Sequence, residues 1–282
     1  MLAVALSSCS ADKIVVNAPG SGNADRPEQT APPPSSTIPG AISPGTLPET
    51  TSAVIPLGIP ASTSWILTAK TGVTGVQVLN GPNGDPIQAA GTDGAVLPVT
   101  LQNPTLASAP LTLLAKQHDI EIGGVKWFEV YLPLRPNGLT GWVTDRDFDV
   151  TTTSLAGIIR LESHTFEIYR SGVAVISFPV ATGALASPTP TGRFFVKELA
   201  APTPQSDPAG AYGPLAYGLS AHSEAVIDTE AFKDGVIGIH GTNAPELIGQ
   251  SISNGCIRMT NENILQLQGL GVPLGMPIDI VS

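Results

Sequence analysis

Along most of this chain, apolar residues come in short alternating bursts separated by Gly, Pro, Asn and Asp. Alternation with period two places successive side chains on opposite faces of an extended backbone, so each burst predicts a strand. Gly75-Val-Gln-Val-Leu79 runs into Asn80-Gly-Pro-Asn-Gly84, a strand followed by a turn. Leu111-Thr-Leu-Leu114, Trp127-Phe-Glu-Val-Tyr-Leu132 and Gly141-Trp-Val143 have the same character, and Pro133-Leu-Arg-Pro-Asn-Gly138 is a turn joining the last two. Past Thr152 the pattern resumes in Gly157-Ile-Ile-Arg-Leu161, Thr165-Phe-Glu-Ile-Tyr169 and Gly172-Val-Ala-Val-Ile-Ser-Phe-Pro-Val180, with a hairpin turn at Arg170-Ser-Gly172. A Pro-rich turn, Ser187 to Gly192, precedes the strand Arg193-Phe-Phe-Val196, and Tyr212-Gly-Pro214 opens a loop region. Val236-Ile-Gly-Ile239 reads as a buried strand that delivers His240 at its end, and Pro277-Ile-Asp-Ile-Val281 closes the sheet. Only Glu262-Asn-Ile-Leu-Gln-Leu-Gln268 has helical spacing. The fold class is mostly β: a small barrel over 62–151, then a β-rich domain over 152–282 with one or two short helices.

Composition adds a third region. Residues 10–61 are Pro, Ser, Thr, Gly and Ala with few large apolar side chains. Such a stretch cannot bury enough surface to offset its ordering entropy and reads as a partly polyproline-like linker. The net charge of −10 argues against nucleic acid, whose phosphates need clustered Lys and Arg. No apolar run is long enough to span a membrane as a helix. The two cysteines, Cys9 and Cys256, lie at opposite ends of the chain with no Cys-x-x-Cys or His-x-x-x-His spacing. No metal site, nucleotide loop or other cofactor site is therefore expected.

Residues 1–9 are a short apolar run, then small residues, then cysteine, the layout of the cleavage region of an exported protein. Leu6-Ser-Ser-Cys9 resembles a bacterial lipobox, which implies lipidation of Cys9 and attachment to a lipid bilayer. No positive residue precedes the run, so the true start is expected further upstream. The alternative is an apolar terminus with an irrelevant cysteine. The lipobox and linker together imply a cell-envelope location, on the outer face of the cytoplasmic membrane or in a periplasm-like space.

Cys256 carries the most chemistry. A thiol becomes a good nucleophile when a neighbour takes its proton, and His240 heads a Gly-Thr-Asn turn upstream of it. The small and polar company of Ser253, Asn254, Gly255 and Arg258 is not what a core strand is built from. The order Pro188-Thr-Pro-Thr-Gly192, Tyr212-Gly-Pro214, Ile239-His-Gly-Thr242 and Ser253-Asn-Gly-Cys-Ile-Arg-Met259 resembles the bacterial L,D-transpeptidase catalytic domain over 152–282. Lys126 to Val143 resembles bacterial SH3-like domains, where a Trp-x-x-Val strand precedes a Gly-Trp-Val strand; this implies either wall binding or a spacer role.

The resemblance implies acyl transfer between peptidoglycan stem peptides, donor and acceptor. A cysteine attacks the carbonyl of the third stem residue and expels D-alanine, and the thioester passes to the amine of a second stem, giving a 3→3 link. By motif position Cys256 is the nucleophile and His240 its base, oriented through a backbone carbonyl. N–H groups around Gly255 and Cys256 would hold the oxyanion. Ser253 would orient the loop or assist the acyl site, and Asn254 replaces the family's common histidine. Gly241, Thr242 and Tyr212 are candidate substrate contacts. Arg258 either grips a substrate carboxylate or braces the loop. Carbapenem β-lactams are the implied inhibitors. An L,D-carboxypeptidase, or a non-catalytic lipid-anchored wall-binding scaffold, remains the alternative. His118, His164 and His222 have no motif support and read as loop or surface residues.

Overall fold

The computed structural model describes residues 56–90, 96–226 and 235–282. Cys9 and the lipobox, with all of the linker before residue 56, lie outside the described residues.

The first block is a five-stranded antiparallel sheet, ordered Thr140–Thr144, Val125–Tyr131, Thr112–Ile122, Ser64–Ala69 and Phe148–Thr153. Its inward face buries Leu67, Val78, Leu113, Phe128, Val130 and Phe148. Trp127 is buried and Trp142 half-buried. His118 is not in a turn: it lies within the Thr112–Ile122 strand, where the register shifts between Gln117 and Ile120. Asp119 there takes a positive φ, a turn-like backbone conformation inside the strand. The His118 ring stacks on Trp65 at 4.8 Å between centroids, with Nδ1 2.6 Å from Asp119 Oδ2.

The second block is an eight-stranded mixed sheet. Its order is Val173–Pro179, Thr165–Arg170, Leu155–Arg160, Pro277–Val281, Gly192–Ala200, Ala216–His222, Val236–His240 and Ile257–Arg258. Two neighbouring pairs are parallel, Leu155–Arg160 with Pro277–Val281 and Val236–His240 with Ile257–Arg258. The helix Asn261–Gly269 starts at a Thr260 cap whose hydroxyl accepts the Asn263 N–H, and it buries Ile264 and Leu267 against the sheet. A one-turn 3-10 segment, Pro245–Leu247, is the only other helical element among the described residues.

The Gly192–Ala200 strand joins the two blocks. Alternation sends Phe194 and Val196 into the core of the eight-stranded sheet and Phe195 into the core of the five-stranded one. Two further contacts tie the blocks. Asn137 brackets the His222 backbone, its Oδ1 accepting the His222 N–H at 2.9 Å and its Nδ2 donating to His222 O at 2.7 Å. Arg135 donates to the carbonyls of Ser223 and Val226. At the other side, Arg193 and Asp279 form a bidentate pair with both bonds at 2.7 Å. Residues 56–61, at the end of the expected linker, pack against that pair: Gly58 N–H donates to Asp279 Oδ2 and Arg193 Nη2 to Pro56 O.

Ala216–His222 corrects the sequence reading, which placed a loop there. Tyr-Gly-Leu-Ser-Ala-His shows no alternation because nearly every position of this strand is buried. His222 is accordingly not on the surface but 7% exposed. Desolvation first, then the charges of Lys197 and Arg135, push its pKa down to about 4.

Candidate active site

The Val236–His240 strand alternates Ile237 and Ile239 into the core with Gly238 and His240 on the opposite face. Ile257 and Arg258 pair in parallel with Ile239 and His240, so Cys256 arrives beside Gly238. The Gly238 N–H points at Cys256 Sγ, 3.4 Å away. The sheet register thus brings the thiol and the imidazole to one face although they are far apart in sequence.

His240 is 1% exposed, and its Nδ1 lies 2.6 Å from Gly241 O. A carbonyl oxygen can only accept, so Nδ1 carries the hydrogen and the neutral ring keeps its lone pair on Nε2. Nε2 is buried and has no hydrogen-bond partner. The expected orienting carbonyl is therefore that of Gly241 itself. Tyr212 lies against the ring, 4.8 Å between centroids and tilted by 54°, and packs with Ala211 against Cys256. Cys256 is a buried thiol outside any disulfide, 2% exposed.

The loop before the thiol is held by hydroxyls. Ser253 Oγ donates to Cys256 O at 2.5 Å and accepts the Gly255 N–H at 3.1 Å. Half of the expected oxyanion pair is thus engaged: Gly255 shapes the loop, and its N–H is directed at Ser253. Thr189 Oγ1 donates to Gly255 O and accepts the Gly183 N–H, both at 2.8 Å, while Ser187 Oγ donates to Asn254 O at 3.0 Å. The Pro-rich turn is therefore a brace beneath the Cys256 loop. Gly255 has φ +113°, and a Cβ there would stand 2.8 Å from Ile237 Cδ1, so the position needs glycine on both counts.

Thr242 contributes shape as well: its N–H donates to Asn261 Oδ1 at 3.0 Å and its hydroxyl accepts the Ala244 N–H. Gly241 and Gly213 cross closely beside the same Asn261 oxygen, where a side chain on either would collide. Tyr212 is placed by Asp207, whose two carboxylate oxygens accept the N–H groups of Ala211 and Tyr212 at 2.9 and 2.8 Å. Asn261, Asp207, Ser187 and Thr189 were missed as site residues, although Thr189 sits inside a quoted motif. The paired glycines of Tyr-Gly-Pro and His-Gly-Thr were the signal available for Asn261. Arg258 is buried at 8% exposure in the strand beside His240, and its backbone bonds Ala181 in both directions at 2.9 Å. His164 turns out to touch this region, its Nε2 2.9 Å from Ser251 Oγ. Among the described residues no three His, Cys, Asp or Glu side chains cluster as a metal site would require.

Residues 156–280, which contain every one of these site residues, match a family model described as the L,D-transpeptidase catalytic domain. Over these residues the chain is similar to that family. Two curated relatives bear, provisionally in both cases, the name L,D-transpeptidase YkuD. The Bacillus licheniformis protein is 34% identical over 43% of this chain and 62% of its own length. The Bacillus subtilis protein is 36% identical over 37% of this chain and 52% of its own length. The chain thus spans between half and two thirds of the relatives it matches. A solved structure of L,D-transpeptidase 3 from Mycobacterium tuberculosis, in complex with a faropenem-derived adduct, overlays with a TM-score of 0.37 and 16% identity. It covers 61% of this chain and 91% of its own.

Proposed function

We propose that this protein transfers acyl groups between peptidoglycan stem peptides through a thioester on Cys256, forming 3→3 cross-links. The observation that carries the reading is the shared face of His240 and Cys256, with Nδ1 fixed on Gly241 O and the Nε2 lone pair left to take a proton. Sγ bonds the donor carbonyl carbon as its proton passes to Nε2, and the carbon–nitrogen bond to D-alanine breaks as Nε2 returns that proton to the leaving amine. An acceptor amine then attacks the thioester, loses a proton to Nε2 and leaves Cys256 as the thiol. Catalytic hydrogen bonds are often long before substrate binds, which fits an Nε2 that has not yet closed on the thiol. The surrounding layout in this reading is an SH3-like segment over 62–151 and a lipid anchor at Cys9, placing the enzyme on the outer face of the cytoplasmic membrane.

A carbapenem should add covalently at Cys256, read by intact-protein mass spectrometry, and the adduct should vanish in Cys256→Ala. Equal labelling of both proteins, or of neither, rejects the nucleophile. With two tetrapeptide stems the expected product is a cross-linked dimer with released D-alanine. Tripeptide alone would indicate an L,D-carboxypeptidase, and no turnover a wall-binding scaffold. Radiolabelled fatty acid should appear in the wild type and not in Cys9→Ala.

A further inference from the structure

The sheet register sets Glu198, Gly218, Gly238 and Cys256 in one row. Glu198 pairs with Gly218 and Gly218 with Gly238, and Cys256 stands beside Gly238 because Ile257 pairs with Ile239. Paired positions share a face, here the face of His240. Two half-exposed glycines therefore floor the space between the thiol and Glu198. Packing does not demand a glycine at 238: a Cβ there would make only ordinary contacts, the nearest 3.4 Å from Tyr217 O. An unforced glycine inside a strand leaves room for a close approach. His240 bounds that room. Its Cδ2 lies 3.9 Å from the same Cβ position, so the ring edge carrying Nε2, buried without a hydrogen-bond partner, faces Gly238. At the other end the Glu198 side chain lies flat over Gly218, where it occupies the place of a Cβ. Its carboxylate is thereby brought to two strand spacings, about 10 Å, from the Cys256 backbone. A bulge between Val196 and Glu198 leaves Lys197 as an extra residue beside it. Lys197 Nζ and Glu198 Oε1 are 3.8 Å apart, too far for a hydrogen bond, with side chains 19% and 16% exposed. Neither group makes a hydrogen bond among the described residues. A sheltered cation and anion that do not saturate each other match a ligand carrying both charges on one carbon.

We propose that the Lys197–Glu198 pair selects the donor by the far end of its third-residue side chain, which ends in an ammonium and a carboxylate on one carbon. This rests on the acyl-transfer reading above. With the donor carbonyl on Sγ, that side chain lies over Gly238 and Gly218, and about five bonds of roughly 1.5 Å each bring its end to the pair. Glu198 accepts hydrogen bonds from the ammonium, and Lys197 donates to the carboxylate. The acceptor amine does not fit the same place, because it must come within about 3–3.5 Å of the thioester carbon to react. Holding the donor's own amine at Glu198 also keeps it away from the thioester.

The test uses three tetrapeptide donors that differ only at the end of the third side chain: ammonium with carboxylate, ammonium alone, or a methyl group. The rate of Cys256 acylation is read by intact-protein mass spectrometry. Wild type should favour the first donor over the second, and the second over the third, by about tenfold at each step, as expected on losing a hydrogen bond to a charged group. Glu198→Gln should no longer distinguish the second donor from the third. Lys197→Gln should treat the first and second alike and keep both above the third. Wild type that takes up all three equally overturns the proposal whatever the variants do. A merely structural pair, whose loss slows the three donors alike, overturns it too. Equal acylation with discrimination only among acceptor stems overturns the donor assignment. Wild type labelled by a carbapenem but by none of the three donors overturns the proposal through failure of the acyl-transfer reading, a pattern distinct from the others.

Discussion

Two buried histidines in this sheet show how much a single side chain's surroundings decide. His240 keeps Nδ1 on a carbonyl and a bare Nε2 beside a thiol, whereas His222 sits at the far end of the neighbouring strand with its Nδ1 lacking a partner. His222 has a folded pKa of about 4 against an ordinary 6.5, so the unfolded chain binds the extra proton between those values. Its contribution to stability is complete above pH 6.5 and is lost as pH falls through 4. On the order of 2–3 kcal/mol should go over that window, and His222→Asn should flatten the loss. Urea unfolding of both proteins at several pH values measures it; parallel curves would contradict it. The pair His240 and Cys256 was legible in the sequence because each lies in a short motif of small and polar residues. Asp207 and Asn261 were not, because they act on backbone N–H groups that only folding brings within reach.

Among elements, legibility followed solvent. Strands with one wet face, such as Thr165–Arg170 and Thr140–Thr144, announce themselves by alternation. Ala216–His222 is covered on both faces and has none, and the short Ser251–Ser253 and Ile257–Arg258 strands are too brief to carry a period. The sequence pattern marks Arg193–Val196 as a strand, the middle of Gly192–Ala200, but not that its two faces serve different cores. Phe195→Ala should therefore cost about 3–5 kcal/mol, as a fully buried phenylalanine does. It should also loosen the five-stranded sheet while sparing Phe194 and Val196. Hydrogen exchange resolves this: protection should drop along Thr112–Ile122 and Val125–Tyr131 first, and a loss confined to the eight-stranded sheet would contradict it.

At the scale of the whole molecule, the sequence reading divides 62–151 from 152–282 on two family resemblances. It could not foresee the contacts that bind them, because Asn137 with His222 and Arg193 with residues 56–58 are encounters between distant polar groups with no local signature. The second of these has a mechanical consequence. From Pro56 onward the chain meets Arg193 and Asp279, on adjacent central strands of the eight-stranded sheet, before it reaches the first strand of the five-stranded one. Tension applied along the amino-terminal segment is taken up at that clasp, in the interior of the sheet that carries Cys256, and the smaller sheet behind it is shielded from the load. In a pulling experiment from the amino terminus, Asp279→Asn should lower the first rupture force; an unchanged first event would mean that the strain runs through the smaller sheet after all.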